Sequence, residues 1–289
     1  MTLTPELTLA AGERDTLGEG PIWDAKESWL YWTDSEEGRY HRLQPHTGKR
    51  ETFAVGVKVG AIALREGGGL LLATQAGFAF HRPQAGAALE VVHNPEPSQE
   101  TRFNDGAASP EGRYWAGSYG ADANSLYRLG PDLEVHQMGS GYGVPNGIGW
   151  SLDGKLMYFT DSDAKTVYAF DYDTATGDID NRRPFIHKPD ARGVPDGLIV
   201  DAEGCIWNGW FGGWRLERHD PDGKLERVYE MPMESPTSLA FGGAGLDTLY
   251  VTSASRDLDE GALAEQPLAG KLVCFSPGVR GREEPRFKG

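Results

Sequence analysis

Cysteine is nearly absent from this chain. There are two in 289 residues, Cys205 and Cys274, both inside strand-like runs. Free thiols buried in β structure are expected, and no disulfide framework. No apolar run approaches the ~20 residues of a membrane span, and residues 1–13 lack the basic patch and apolar core of a secretory leader. Positive charge is also scarce. With 28 Lys and Arg against 43 Asp and Glu, the formal net charge is −15, which argues against nucleic acid and anionic lipid as partners and favours solubility. These absences point to a cytoplasmic protein that acts on a small molecule, with no nucleic-acid, membrane or protein partner. Chemical motifs are missing too. Neither Cys-x-x-Cys nor paired histidines occur, which disfavours a structural zinc site. No Gly-x-Ser-x-Gly elbow occurs, which disfavours a serine hydrolase.

What the chain has in quantity is glycine and proline, 39 and 18 residues, and one phrase that recurs. A Pro- or Gly-containing turn leads into a small residue and an apolar triplet. A tight turn follows, then a run rich in Tyr, Trp, Phe and Thr. The copy from Gly147 through Asp153-Gly154 to Asp161 is the cleanest. Aligned on the small residue, the copies open at Gly20, Gly60, Gly106, Gly147, Gly197 and Ser238, about 40, 46, 41, 50 and 41 residues apart. That is the period of a propeller blade. A lone four-stranded sheet cannot bury both faces, whereas blades packed around an axis cover them. The chain is therefore predicted to be all-β, a six-bladed β-propeller. After Leu272-Val273-Cys274-Phe275 only a polar tail remains. The spare run Leu7-Thr8-Leu9-Ala10 is predicted to pair into the last blade and close the ring. A closed all-β ring of this length is one domain, residues 1–289. Residues 255–270 form an insertion at the rim.

The innermost strand of each blade lines a channel, and the residue before each opening small residue lies at its mouth. Around the ring that position reads Glu19, Val59, Asp105, Asn146, Asp196 and Thr237. Three carboxylates converging in a desolvated place repel, and a divalent cation would resolve the repulsion. Each acid alone reads equally well as a turn cap or surface group; their shared place in the repeat favours the cation. An all-oxygen set suits a hard ion, Ca²⁺ first, with Mg²⁺, Mn²⁺, Fe²⁺ or Zn²⁺ open.

The phrases Leu17-Gly18-Glu19-Gly20-Pro21, Arg102-Phe103-Asn104-Asp105-Gly106, Pro145-Asn146-Gly147 and Pro195-Asp196-Gly197 together resemble the SMP-30/gluconolactonase/regucalcin-like family over nearly the whole chain. The resemblance implies a six-bladed propeller with one divalent metal, hydrolysing sugar lactones to aldonic acids. By position it implies Glu19, Asn146 and Asp196 as metal ligands, and Arg102 and Asn104 as substrate contacts. Asp122 stands where the family has an acidic substrate contact, as a shorter acid where some relatives carry Glu. Asp196 is the first choice for general base, although a carboxylate that also binds metal is a weak one. Asp105, close by and read as outside the ligand set, is the fallback.

Aromatic residues near the mouth carry two readings. Trp207, Trp210, Phe211 and Trp214 crowd a Gly-rich stretch, residues 208–213, read as a loop that either walls the pocket or packs between blades. Tyr119 and Tyr142 are read as loop residues near the opening. Three competing functions remain. Tyr31-Trp32-Thr33-Asp34 is similar to the repeat of extracellular receptor propellers, which bind proteins, but the other blades do not sustain it. A calcium-handling protein without enzymatic activity is the second. The third keeps the enzyme and changes the ester, to an aryl ester or organophosphate.

Overall fold

The computed structural model describes residues 1–98, 100–120 and 124–289. Its strands form six sheets, each built on an antiparallel meander, with strands from the N-terminus added to the last two. The inner strands are Gly18–Asp24, Val59–Leu64, Arg102–Ala108, Pro145–Trp150, Val194–Val200 and Pro236–Gly242. Each touches the inner strand of the next blade, and that of blade 6 touches that of blade 1, so the sheets close into a ring. This is the six-bladed propeller the repeat predicts.

The ring closes through the N-terminus, as expected. Thr8–Ala11 pairs antiparallel with Leu272–Phe275 and supplies the outer strand of blade 6. A shorter strand before it, Thr2–Leu3, adds in parallel to Leu225–Glu230 of blade 5. The first eleven residues thus lie across two blades.

The apolar residues divide into six clusters, and each fills the gap between two neighbouring blades. Trp115, Ile148, Trp150 and Phe159 join blades 3 and 4. Trp207, Tyr229, Phe241 and Phe275 join blades 5 and 6. Trp23, Trp32, Tyr250 and Leu272 join blade 6 to blade 1. Alternation along each strand sends side chains to both faces, and each face meets the next blade. Each large side chain buried this way stabilises the ring by roughly 1.5–3 kcal/mol.

Every blade carries an irregularity at the same place. The pairing of the inner strand with the second strand slips between Glu19 and Ile22, Val59 and Ala61, Phe103 and Gly106, Pro145 and Ile148, Pro195 and Leu198, and Pro236 and Leu239. A bulge bends its strand and re-aims a side chain. Here the re-aimed positions are those at the channel mouth. Beside the bulges, polar side chains tie blades together. Thr237 Oγ1 donates to Gly18 O at 2.6 Å, Ser35 Oγ to Val59 O at 2.5 Å, Asn104 Nδ2 to Pro145 O at 2.8 Å and Ser162 Oγ to Pro195 O at 2.7 Å. Each bond runs from one blade to the start of the next inner strand. Among the described residues, no helix is long and apolar enough to cross a membrane. Cys205 is buried, Cys274 is half-buried, and both thiols are free.

Candidate functional site

Glu19, Asp105, Asn146 and Asp196 are all buried, each on the bulge of a different inner strand. Their charges reach one another. Burial raises the Glu19 pKa well above the carboxylate range, and the Asp196 and Asp105 charges push it further. Burial and then Asp105 do the same to Asp196. Burial takes Asp105 up to about 6, against a hydrogen bond from Gly106 N at 2.7 Å. Glu19 likewise accepts from Gly20 N, at 3.1 Å. Asp196 Oδ1 is buried with no hydrogen-bond partner. Asn146 is oriented on both sides: its Nδ2 donates to Ser162 Oγ at 2.9 Å, and its Oδ1 accepts from Asn104 Nδ2 at 3.0 Å.

Three desolvated, mutually repelling carboxyls, an amide oxygen and an orphaned carboxylate oxygen are the donor chemistry of a hard divalent cation. The carboxyls of Glu19, Asp105 and Asp196 are close enough to act on one another, and Asn146 is linked to Asn104 at 3.0 Å. Arg102 sits above them. Its Nη1 donates to Phe103 O at 3.0 Å and Asn104 Oδ1 at 2.8 Å, and its guanidinium lies 5.3 Å from the Tyr119 ring. Asn104 is thus held between Arg102 and Asn146. Asp122 lies outside the described residues.

The aromatic stretch resolves in favour of packing. Residues 208–211 belong to a strand, Ile206–Phe211, and Trp207 and Trp210 are buried. Tyr142 is buried against Phe159. Tyr119 remains exposed beside Arg102, and Phe211 is half-buried.

A second group with metal-ligating chemistry lies in and before blade 1. Asp15, Asp34 and His41 offer one atom each within 4.8 Å of one another. Most of its atoms are engaged, although Asp15 Oδ1 and His41 Nε2 are buried without a hydrogen-bond partner. Trp32 Nε1 donates to Asp15 Oδ2 at 2.7 Å, and His41 Nε2 lies 3.0 Å from Asp15 Oδ1. Asp34 accepts from Leu17 N at 3.1 Å and Arg39 at 2.7 Å, and His41 Nδ1 pairs with Thr52 Oγ1 at 2.8 Å. Arg39 and Arg50 both border the group, a field that opposes a cation. These contacts pin residues 15–17 to blade 1. No repeat marks the trio in the sequence, because its members occupy three unrelated places in the blade.

Comparison with known proteins agrees with this geometry. The sequence profile described as SMP-30/Gluconolactonase/LRE-like region matches residues 17–255. The chain is 38% identical to pentonolactonase XacC of Haloferax volcanii over 93% of its own length and 94% of the relative's. It is 34% identical to a 6-deoxy-6-sulfogluconolactonase of Pseudomonas putida, covering 94% and 95% of the two chains. The crystal structure of a calcium-binding protein, regucalcin, from Agrobacterium tumefaciens superposes with a TM-score of 0.94 at 28% identity, over 99% and 98% of the chains. This chain belongs to the SMP-30/gluconolactonase/regucalcin-like family.

Proposed function

We propose that this protein is an ester hydrolase that opens sugar lactones to aldonic acids, with one divalent cation held by Glu19, Asn146 and Asp196. The observation that carries the reading is the orphaned Asp196 Oδ1 among buried carboxyls whose charges oppose one another. The likeness to a pentonolactonase and a 6-deoxy-6-sulfogluconolactonase supports lactones of pentoses or hexoses as substrates. The oxygen donors favour Ca²⁺, with Mg²⁺, Mn²⁺, Fe²⁺ and Zn²⁺ as alternatives.

Such a cation, when bound, supplies Lewis-acid polarisation and acidifies water. The chain's own groups do the rest. Asp196 accepts the proton of the attacking water. Asp105, raised to about 6 by burial, is the alternative base and has an affinity suited to proton exchange near neutrality. Arg102, fixed at one nitrogen by Phe103 and Asn104, offers its remaining donors to sugar hydroxyls and to the carboxylate that forms. Asn104 both donates and accepts, as a polyol requires. The family resemblance adds Asp122 as a further substrate contact.

The test is a pH-stat panel of glucono-, galactono-, xylono- and arabinono-lactones on chelated protein refilled with single metals. Chelation abolishes turnover and at least one metal restores it. Glu19→Ala and Asp196→Ala each lower kcat/KM by about 100-fold or more, near 3 kcal/mol. Full activity in both variants contradicts the site. A non-enzymatic calcium-binding role, which the likeness to a calcium-binding regucalcin favours, would instead show tight Ca²⁺ binding and no lactone opening.

A further inference from the structure

Two blades share a phrase that the reading above leaves without a task. Tyr31-Trp32-Thr33-Asp34-Ser35 in blade 1 and Tyr158-Phe159-Thr160-Asp161-Ser162 in blade 4 each run to a serine just past the end of the second strand. Both serines are buried. Both are held alike by the backbone: Ser35 N donates to Leu17 O at 2.9 Å, and Ser162 N to Val144 O at 3.0 Å. Each hydroxyl then reaches the next blade, Ser35 Oγ at Val59 O and Ser162 Oγ at Pro195 O. The two differ in one bond. Ser162 Oγ also accepts from a mouth residue, Asn146 Nδ2, at 2.9 Å.

That bond completes a chain across three blades. Arg102 Nη1 donates to Asn104 Oδ1 at 2.8 Å, and Asn104 Nδ2 to Asn146 Oδ1 at 3.0 Å. Asn146 Nδ2 donates to Ser162 Oγ, and Ser162 Oγ to Pro195 O at 2.7 Å. The ends fix the direction, because a guanidinium only donates and a backbone carbonyl only accepts. With its proton on Pro195 O, the Ser162 hydroxyl meets Asn146 as an acceptor. Turned over, the Asn146 amide would set nitrogen against nitrogen at Asn104, and could bond Ser162 only by taking its proton from Pro195 O. Held as it is, Asn146 Oδ1 gives one lone pair to Asn104 and keeps the other free. Pro195 directly precedes Asp196, so the same hydroxyl joins the amide to the backbone beside the orphaned carboxylate oxygen.

We propose that Ser162 is a positioning residue of the cation site: its hydroxyl sets the Asn146 amide with the oxygen as the end offered to the cation, and ties that amide to the strand that carries Asp196. The proposal rests on the cation reading above. It gives Ser162 a role that neither the mouth position of the repeat nor the family phrases mark.

The test is Mn²⁺ binding to chelated protein, read from the electron paramagnetic resonance signal of the free ion, so that no turnover is needed. Ser162→Ala weakens Mn²⁺ binding by about tenfold or more. Ser35→Ala is the control. It removes the matching bond between blades but no bond to a mouth residue, and it binds Mn²⁺ as the wild-type protein does. Should Ser162→Ala not fold, Ser162→Cys keeps the shape and weakens both bonds, and it too binds Mn²⁺ less tightly. A second readout needs no metal: in chelated protein the Asn146 side-chain amide, followed by NMR, exchanges its protons faster in Ser162→Ala than in the wild-type protein or Ser35→Ala. Unchanged Mn²⁺ affinity in the Ser162 variant, or an equal loss in Ser35→Ala, overturns the proposal. If the wild-type protein binds no Mn²⁺, the cation reading fails. The amide exchange then decides the orientation alone: faster exchange in Ser162→Ala supports it, and equal exchange in all three proteins overturns it.

Discussion

A carboxyl group enclosed beneath the site has nowhere to place its charge at low energy. Glu284 lines the channel cavity that also reaches Asp105. Burial raises its pKa to about 7 although Arg282 lowers it. The ordinary value is 4.5, so between those limits the native protein holds a proton that the unfolded chain has lost. The group's contribution to stability is greatest below pH 4.5, declines up to pH 7 and is flat above it. Glu284→Gln removes the penalty, and a gain on the order of 2 kcal/mol at pH 8 is expected. Urea unfolding of both proteins at pH 4.5 and 8 measures it: the variant's advantage at pH 8 shrinks towards pH 4.5. An equal difference at the two pH values contradicts the assignment. Residue by residue, legibility followed the repeat. Glu19, Asp105, Asn146 and Asp196 could be read because each departs from a pattern at the same offset. Glu284 could not, because nothing in the local sequence shows that its segment lies under a channel.

At the scale of elements, the inner three strands of most blades and the closing strand were legible from turn chemistry and alternation. The stretch 208–213 was not. Its glycines suggest a loop, yet Gly209 lies within the strand Ile206–Phe211, where a Cβ would come 2.2 Å from Thr237 O. Glycine is there so that blade 6 can approach, not to turn the chain. Closure also has a consequence that can be measured. Thr8–Ala11 covers the edge of Leu272–Phe275, whereas Thr2–Leu3 only extends blade 5. Deleting residues 1–11 should lower the melting temperature by about 10 °C or more, while deleting residues 1–5 should cost a small fraction of that. Thermal unfolding of the two truncations checks the order, and equal melting temperatures for the longer truncation and the full chain contradict it.

The whole molecule is held by one feature the sequence conceals. The C-terminal segment reads as a polar tail, but the folded chain carries it beneath the ring. Arg280 O accepts from Ala202 N of blade 5 and Gly281 N donates to Leu246 O of blade 6. Arg282 reaches Trp150 O of blade 4, and Arg286 pairs with Asp24 of blade 1. Phe287 N donates to Leu64 O of blade 2, and Lys288 N to Gly112 O of blade 3. Nine residues thus contact all six blades, and Phe287 is fully buried between blades 2 and 3. These four backbone hydrogen bonds and two from arginine side chains need no apolar pattern, which is why composition gave no sign of the strap. Arg282, Glu283, Glu284 and Pro285 line the channel cavity together with Asp105, so under the proposed function a substrate and a cation would enter from the bulged mouth.

The account depends on where that cation binds. Crystals grown from chelated protein refilled with Mn²⁺, measured for anomalous scattering, test it most directly. The account predicts one strong anomalous peak within ligand distance, about 2.1–2.4 Å, of Glu19, Asn146 and Asp196. A peak among Asp15, Asp34 and His41 instead, or no peak at the mouth, would contradict it.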